Sequence, residues 1–374
     1  MVNFAFSEEQ EQLRDAVRKF LEAKSPVTEV RRLMETDDGY DPAVWSQMAN
    51  ELGLQSLAIP EAFGGQGFSM VELGIVLEEQ GRALLCAPYF SSVVLAANAI
   101  LVAGDDAAKN EYLPGIASGE TIATLAITEP SGKWDASGIT MVATPAGDGF
   151  TLDGTKSFVI DGHLANLVIV VARDAGTSGA DGIGFYAVDG AAAGLTRTPL
   201  ATMDQTRKQA KLDFTAVPAK RIGGDFAAYS RVMDIAATAL ANEMVGGAQK
   251  VLDMSVEYAK VRIQFGRPIG SFQAVKHKCA DMLLEVESAK SAAYYAAAMA
   301  ADGSDELPVV ASLAKAYCSD AYFHAAAENI QIHGGIGFTW EHDAHLYFKR
   351  AKSSEVLLGD ATYHRELLAQ RIGI

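Results

Sequence analysis

Between Tyr258 and Ala280 the chain carries five basic side chains, Lys260, Arg262, Arg267, Lys276 and Lys278, and no acid. In a sequence of formal net charge −16, such a patch attracts a polyanion, and a dinucleotide pyrophosphate qualifies. A solvated helix end followed by a basic turn at Gly266 to Gly270 accounts for the same residues. Downstream, QIHGGIGF (331–338) places a Gly-rich turn after a helical run. Gly334 and Gly335 let backbone amides approach a ligand closely, and Gln331 reaches it with either end of its amide. A helix C-cap followed by a turn explains the glycines equally well. A further Gly-rich loop, PEAFGGQG (60–67), follows no clear strand and lacks a Lys-Ser/Thr ending, which argues against a phosphate cradle. Glu341, His342 and His345, with His333 and His364 nearby, have the residue types of a metal site. That stretch runs into a basic helix with Lys349 and Arg350, and no metal is expected.

The elements that must position these residues fall into three segments. Residues 1–119 read as an N-terminal α-helical domain. Ser7 with Gln10 forms a capping-box pattern, and Leu13, Val17, Phe20 and Leu21 follow at helix spacing. Residues 120–224 read as a middle β-domain, with short runs rich in β-branched and aromatic residues: TIATLAIT, FTLDGTKSFVI, LVIVVA, IGFYAV and KLDFTAV. Asp-Gly pairs at Asp153-Gly154, Asp161-Gly162 and Asp189-Gly190 are expected to be the turns between strands. Residues 225–374 read as a C-terminal α-helical bundle, with one long helix expected from Phe226 to Arg262 and further Ala-rich helices from Ser271 to Ala301 and Leu307 to Gln331. The fold class is therefore mainly α with a central β-domain. The acidic balance, 47 Asp and Glu against 31 Lys and Arg, argues against nucleic acid as a general partner. Three scattered cysteines, Cys86, Cys279 and Cys318, suit a reducing compartment. The longest apolar run, Tyr89 to Ala103, is too short to cross a bilayer. No membrane insertion and a cytoplasmic location are expected.

RIQFGRPIGSFQ (262–273), QIHGGIGF (331–338) and AITEPSG (126–132) stand in the order and spacing of the acyl-CoA dehydrogenase family, and FSEEQEQLRDAVRKFL and IPEAFGGQGF resemble its N-terminal domain. The resemblance spans essentially the whole chain. It implies a helical N-terminal domain, a barrel-like β-domain and a four-helix C-terminal bundle, usually assembled as a tetramer around FAD. By position, Arg262, Phe265, Gln273, Gln331, Gly334 and Gly335 match the family's grip on the FAD of an adjacent subunit. Thr128 matches a threonine that hydrogen-bonds the flavin ring. SFVIDG (157–162) matches a turn beside the flavin, with Phe158 in place of a tryptophan and Ile160 in place of a threonine, so that the second residue has no hydroxyl to donate. In SGKWD (131–135), Trp134 replaces a small residue near flavin and thioester, and an altered site entrance is expected. Asp234 falls in a helix where relatives meet coenzyme A.

The implied chemistry, α,β-dehydrogenation of an acyl-CoA thioester, needs a carboxylate to take the α-proton. Aligned on the family's C-terminal turn, this sequence has Leu358 where the usual glutamate stands, and the alternative helix position used by some relatives falls on Ala236. Glu243, two helical turns further along the same face, is the only charged residue between Ile235 and Gln249. A carboxylate among Ala, Leu, Met and Gly is expected to have a raised pKa, as a general base needs, with Gly246 and Gly247 leaving room for a ligand. The competing expectation is a structural glutamate paired with a cation from another helix. An active enzyme of this kind passes electrons to an electron-transfer flavoprotein or similar acceptor, and the departures suggest a branched, bulky or sterol side-chain acyl group. Alternatively the chain is a non-catalytic subunit completing the FAD site of a sister chain, so both homotetramer and heterotetramer remain open.

Overall fold

The computed structural model of the chain describes residues 6–374. Its first stretch is helical: α1 (Glu8–Lys24), α2 (Val27–Met34), α3 (Pro42–Asn50), α4 (Met70–Ala83), α5 (Ala97–Ala103) and α6 (Asp106–Ala117). The Ser7 hydroxyl accepts from the Gln10 amide at 3.2 Å while the Gln10 side chain accepts from the Ser7 amide at 2.9 Å, so the capping box closes as the sequence predicts. Ahead of α5 lies a seven-residue π-helical segment, Phe90–Ala96, with every side chain buried.

Seven strands follow: β1 (Ala123–Ala126), β2 (Val142–Ala146), β3 (Gly149–Ile160), β4 (Leu167–Asp174), β5 (Ile183–Asp189), β6 (Leu195–Pro199) and β7 (Gln209–Gly223). Strand β4 pairs with both β2 and β5, β5 with β7, β7 with β3, and β3 with β2. That circuit closes on itself, so five strands form a barrel, with β1 appended to β4 and β6 to β7. Val168, Val170, Tyr186, Leu212, Phe214 and Val217 fill its interior. One expected turn is not a turn. Asp153-Gly154 lies inside β3, where the register with β7 shifts between Leu152 and Gly154. Gly154 takes φ 139° there, and the Asp153 carboxylate accepts from the Ala216 amide at 2.8 Å. An Asp-Gly pair also satisfies a β-bulge, which needs the same left-handed freedom, and period alone does not separate the two.

The chain then enters α7 (Phe226–Val261), a two-residue hairpin of β8 (Ile263–Gln264) and β9 (Arg267–Pro268), and the helices α8 (Gln273–Ala301), α9 (Leu307–His333), α10 (Ala344–Val356) and α11 (Ala361–Arg371). Helix α7 runs 36 residues with no proline. Two consecutive glycines in its interior cost roughly 2 kcal/mol relative to alanines. Close packing explains them: a Cβ on Gly246 would stand 1.7 Å from the Glu78 carbonyl oxygen, and one on Gly247 would stand 2.4 Å from the Tyr322 ring. Reciprocally, a Cβ on Gly81 would stand 1.9 Å from the Glu243 carbonyl oxygen. Helices α4 and α7 thus meet backbone to backbone.

Packing divides the protein into two compact units. One comprises the chain up to Arg31, Met70–Leu85 and Ala237–Ile374; the other comprises Arg32–Ser69 and Cys86–Ala236. The first is the helical bundle, in which α9 packs against α8, α10 and α11, and α4 packs against α1 and α8. The second holds the barrel. Among the described residues no helix is long and apolar enough to cross a membrane.

Candidate active site

In the barrel unit, β1 delivers Thr128, which is buried and whose carbonyl accepts from the Ser157 amide at 2.7 Å. Two residues past Lys156, strand β3 breaks register again, and Phe158 takes φ 54° with 58 % of its surface exposed. A left-handed aromatic on a strand costs about 1 kcal/mol or more, so the backbone holds Phe158 outward against its own preference. Its neighbours Val159 and Ile160 turn inward and are buried. The Ile160 carbonyl accepts from Thr124 Oγ1 at 2.6 Å, and the Asp161 carboxylate accepts from Ser91 Oγ at 2.6 Å. Trp134 is half-buried, and its carbonyl accepts from the Tyr229 hydroxyl at 2.7 Å, which ties the 131–135 loop to the first turn of α7. Asp234, on the same helix, is buried.

In the bundle unit, the two motifs singled out by charge and by glycine lie at the same end. Tyr258 near the end of α7 stacks on His333 at the end of α9 with ring centroids 4.2 Å apart, and Ser255 Oγ bonds Asn329 Oδ1 at 2.9 Å one turn earlier. Beyond Tyr258 the β8–β9 hairpin turns at Phe265 and Gly266, both left-handed at φ 53° and 77°. Two positive φ values suit the twist of a tight hairpin, but the first position normally takes Asn, Asp or Gly. Phe265 stands there 92 % exposed. Arg262, Arg267 and Gln273 are exposed beside it, with the Arg267 guanidinium 4.2 Å from the Phe272 ring centroid. Lys260 and Lys278, by contrast, are neutralised by Glu257 and Glu328. Beyond His333, Gly334 caps α9 at φ 64° and donates to the Gln331 carbonyl. Gly335 has an ordinary φ, and a Cβ there would meet nothing within 4 Å. The helix cap therefore explains Gly334, while nothing within the chain requires Gly335.

Taken unit by unit, the exposed groups are of types that a flavin dinucleotide can use. Phe158 offers an outward aromatic face, Arg262 an exposed cation for a pyrophosphate, and Gly335 unfilled space next to backbone amides.

The proposed base site is more constrained than its sequence suggests. Glu243 is only 6 % exposed, and its carboxylate lies 3.8 Å from Nε of Arg350 on α10, itself buried. This is the cation from another helix that the competing expectation calls for, more than a hundred positions further along the chain. Gly246 and Gly247 do not leave room for a ligand beside it, because the Glu78 backbone and the Tyr322 ring occupy that space. The vacant turn is equally filled: Leu358 is buried at φ 62°. Lys315 of α9, fully buried, donates to the Glu355 and Gly359 carbonyls at 3.0 and 2.9 Å, and His364 Nε2 lies 3.0 Å from the Leu358 carbonyl. Burial pushes Lys315 down to about 7, and burial together with the Lys315 charge pushes His364 down to about 4. A second buried lysine, Lys156 of β3, contacts Glu129 at 2.7 Å beside Thr128. Sequence reasoning passed over both lysines; the available signal was a lysine at an inward position of a strand or in an otherwise apolar stretch of helix.

The histidines near Glu341 make local contacts instead of converging. His333 Nδ1 lies 2.8 Å from the Asn329 carbonyl and His345 Nε2 lies 3.2 Å from that of Trp340. Among the described residues no group of three or more metal-type side chains forms.

Family models match almost the full length: the acyl-CoA dehydrogenase N-terminal domain over residues 7–120, the middle domain over 124–217 and the C-terminal domain over 226–373. Acyl-CoA dehydrogenase IpdE2 of Mycolicibacterium smegmatis is 36 % identical over 353 residues, covering 94 % of this chain and 95 % of the relative. Among solved structures, a variant of the Tcur3481-Tcur3483 steroid ACAD superposes with a TM-score of 0.89 at 32 % identity, covering 98 % of both chains. The ChsE4-ChsE5 complex from Mycobacterium tuberculosis superposes with a TM-score of 0.91 at 28 % identity, covering 99 % of both. The chain belongs to the acyl-CoA dehydrogenase family, and its reaction is the FAD-dependent dehydrogenation of an acyl-CoA thioester.

Proposed function

We propose that the substrate is a bulky thioester of the steroid type, that Thr128 and Phe158 serve the flavin ring, and that the Arg262–Phe265 hairpin with Gln273, Gln331, Gly334 and Gly335 grips the FAD of an adjacent subunit. The observation that carries the cofactor part is the pair of outward features, left-handed Phe158 on the barrel and the Arg262–Phe265 hairpin on the bundle, each held exposed at a conformational cost. The substrate class rests on likeness to the steroid ACAD. Thr128 and Phe158 serve the ring end, and Arg262, Gln273, Gln331 and the amides at Gly334 and Gly335 serve the pyrophosphate and adenine end. Trp134 narrows the entrance, and Asp234 lies toward the coenzyme A. Glu243 is the candidate acceptor of the α-proton. Bound in this way, FAD supplies the acceptor for the hydride leaving Cβ. The proposed partner that would accept the electrons is an electron-transfer flavoprotein or a similar acceptor. The three cysteines are free, two of them buried, which agrees with a reducing, cytoplasmic setting.

The visible spectrum of the chain purified alone, before and after anaerobic addition of short-chain, long-chain and steroid acyl-CoA thioesters, tests this. A yellow protein bleached by the steroid thioester supports the proposal; bleaching by straight-chain thioesters only overturns the substrate class.

The same spectrum also separates a second reading. The buried Leu358 in the base position and the Arg350 partner of Glu243 suit a subunit that completes the FAD site of a sister chain. That reading expects a colourless protein alone and a yellow, thioester-reducible complex on coexpression with the sister chain.

A further inference from the structure

The barrel unit contains an ion pair with both partners buried. Lys156 of β3 is fully buried and Glu129, the residue after Thr128, is nearly so; Lys156 Nζ meets Glu129 Oε1 at 2.7 Å and the Ile127 carbonyl at 3.0 Å. Glu129 has its other acceptor sites filled as well. It accepts from the Thr140 amide at 2.9 Å, from the Thr140 hydroxyl and from the Met141 amide at 3.0 Å. Three stretches of chain therefore converge on one carboxylate: the end of β1 with Thr128, the segment entering β2, and the end of β3 with Phe158. The 130–139 loop, which carries Trp134, is closed at both ends by this same carboxylate.

Such a pair is an odd way to stabilise a barrel. Apolar residues of the same volume usually do as well or better, because desolvating two charges offsets their attraction. What an ion pair with four further hydrogen bonds around it does provide is a fixed geometry. Here that geometry fixes the backbone beside two residues assigned to the flavin. Lys156 is two residues from Phe158, and the register shift that turns Phe158 outward begins at Lys156. The Ser157 amide, between them, bonds the Thr128 carbonyl at 2.7 Å.

We infer that Lys156 and Glu129 are positioning residues of the flavin site, a buried clamp that sets Thr128 and Phe158 relative to one another and closes the Trp134 loop. The inference rests on the assignment of Thr128 and Phe158 to the flavin under the proposed function. Lys156 and Glu129 touch no ligand themselves; they act through the backbone of 127–129 and 156–158.

The test uses the full-length chain with Glu129→Gln, Lys156→Met and the double variant, together with Thr140→Val, which removes one bond to Glu129 from an exposed position. Two quantities are read: amide hydrogen exchange along the chain, and FAD dissociation with the shape of the bound-flavin absorbance bands. The expected result is exchange at least tenfold faster at 127–140 and 156–160, with β4 and β5 unchanged, and FAD affinity at least tenfold weaker with shifted flavin bands. The double variant should be no worse than the poorer single one, since either change opens the same clamp. Native exchange in those segments, or wild-type affinity and bands in folded Glu129→Gln, overturns the inference. Should Lys156→Met not fold, Glu129→Gln and Thr140→Val decide it. A wild-type chain that holds no flavin would count against the cofactor part of the proposed function, and hydrogen exchange alone would then decide whether the clamp exists.

Discussion

At the scale of single residues, the Glu243–Arg350 pair separates chemistry from architecture. Removing one partner of a buried pair typically costs ~3–5 kcal/mol, because the other charge is left behind. Loss of a general base instead lowers the chemical step by roughly 10²–10⁴-fold. Glu243→Gln is therefore expected to slow flavin reduction by steroid thioester at least a hundredfold, measured by anaerobic stopped flow on folded enzyme. Near-normal reduction combined with a lower melting temperature would make Glu243 structural and leave Arg350 as its reason for being there. Phe265 makes a complementary case. It occupies a left-handed turn position that glycine adopts freely, so Phe265→Gly should stabilise the hairpin by ~1 kcal/mol while weakening flavin retention, a gain of stability bought with function. Chemical denaturation and flavin titration of the same sample read both. Residue identity was legible where a motif carried it: Arg262, Phe265 and Gln331 stand out by charge, glycine and order. The cation facing Glu243 was not, because a partner on a distant helix leaves no trace in local composition.

At the scale of elements, the most constrained piece is the turn between α10 and α11. Its left-handed Leu358 is held from two sides by Lys315 and His364. Lys315 has its pKa lowered by burial to about 7 from 10.5, so between those values the unfolded chain holds a proton that the folded chain has released. Stability should therefore rise with pH through that window, by ~2 kcal/mol between about pH 7 and pH 9, and be lost as the pH falls back toward 7. Lys315→Met should flatten this part of the melting-temperature profile; an unchanged slope would mean that another group produces it. His364, pushed down to about 4, stays neutral in the folded chain throughout and adds only a small part near pH 7, where its unfolded form still holds some proton. Elements were the most legible level of this sequence. The capping box at Ser7, the unbroken α7 and the runs that became β3, β4, β5 and β7 all follow from period, propensity and caps. Two expectations that the structure overturns share a cause: a turn at Asp153-Gly154 and a ligand gap at Gly246-Gly247 both rest on local chemistry alone. The structure instead uses both glycines of the helix for close packing and the strand glycine for a bulge, and which neighbour approaches a glycine is decided by tertiary contact.

At the scale of the whole molecule, the bundle end presents several large apolar side chains to solvent. Phe265 and Phe338 are 92 % and 84 % exposed, and Val261, Ile263 and Ile336 are exposed with them. Exposed clusters of this kind mark association surfaces. Arg262 and Gln331, which the proposed function assigns to the FAD, stand among them, so association and cofactor binding should be coupled. A ligand that bridges two chains would stabilise their assembly by mass action. Sedimentation of the full chain should show an oligomer that tightens when FAD is added. Phe265→Ser with Phe338→Ser should lower the assembly state and the flavin content together, with far-UV circular dichroism unchanged. An assembly that dissociates while flavin affinity stays at the wild-type level would separate the two roles and confine the FAD grip to one chain. A wild-type chain that stays monomeric alone and assembles only with a sister chain would give the same exposed edge a hetero-oligomeric partner, and would explain why a carboxylate is not needed at Leu358.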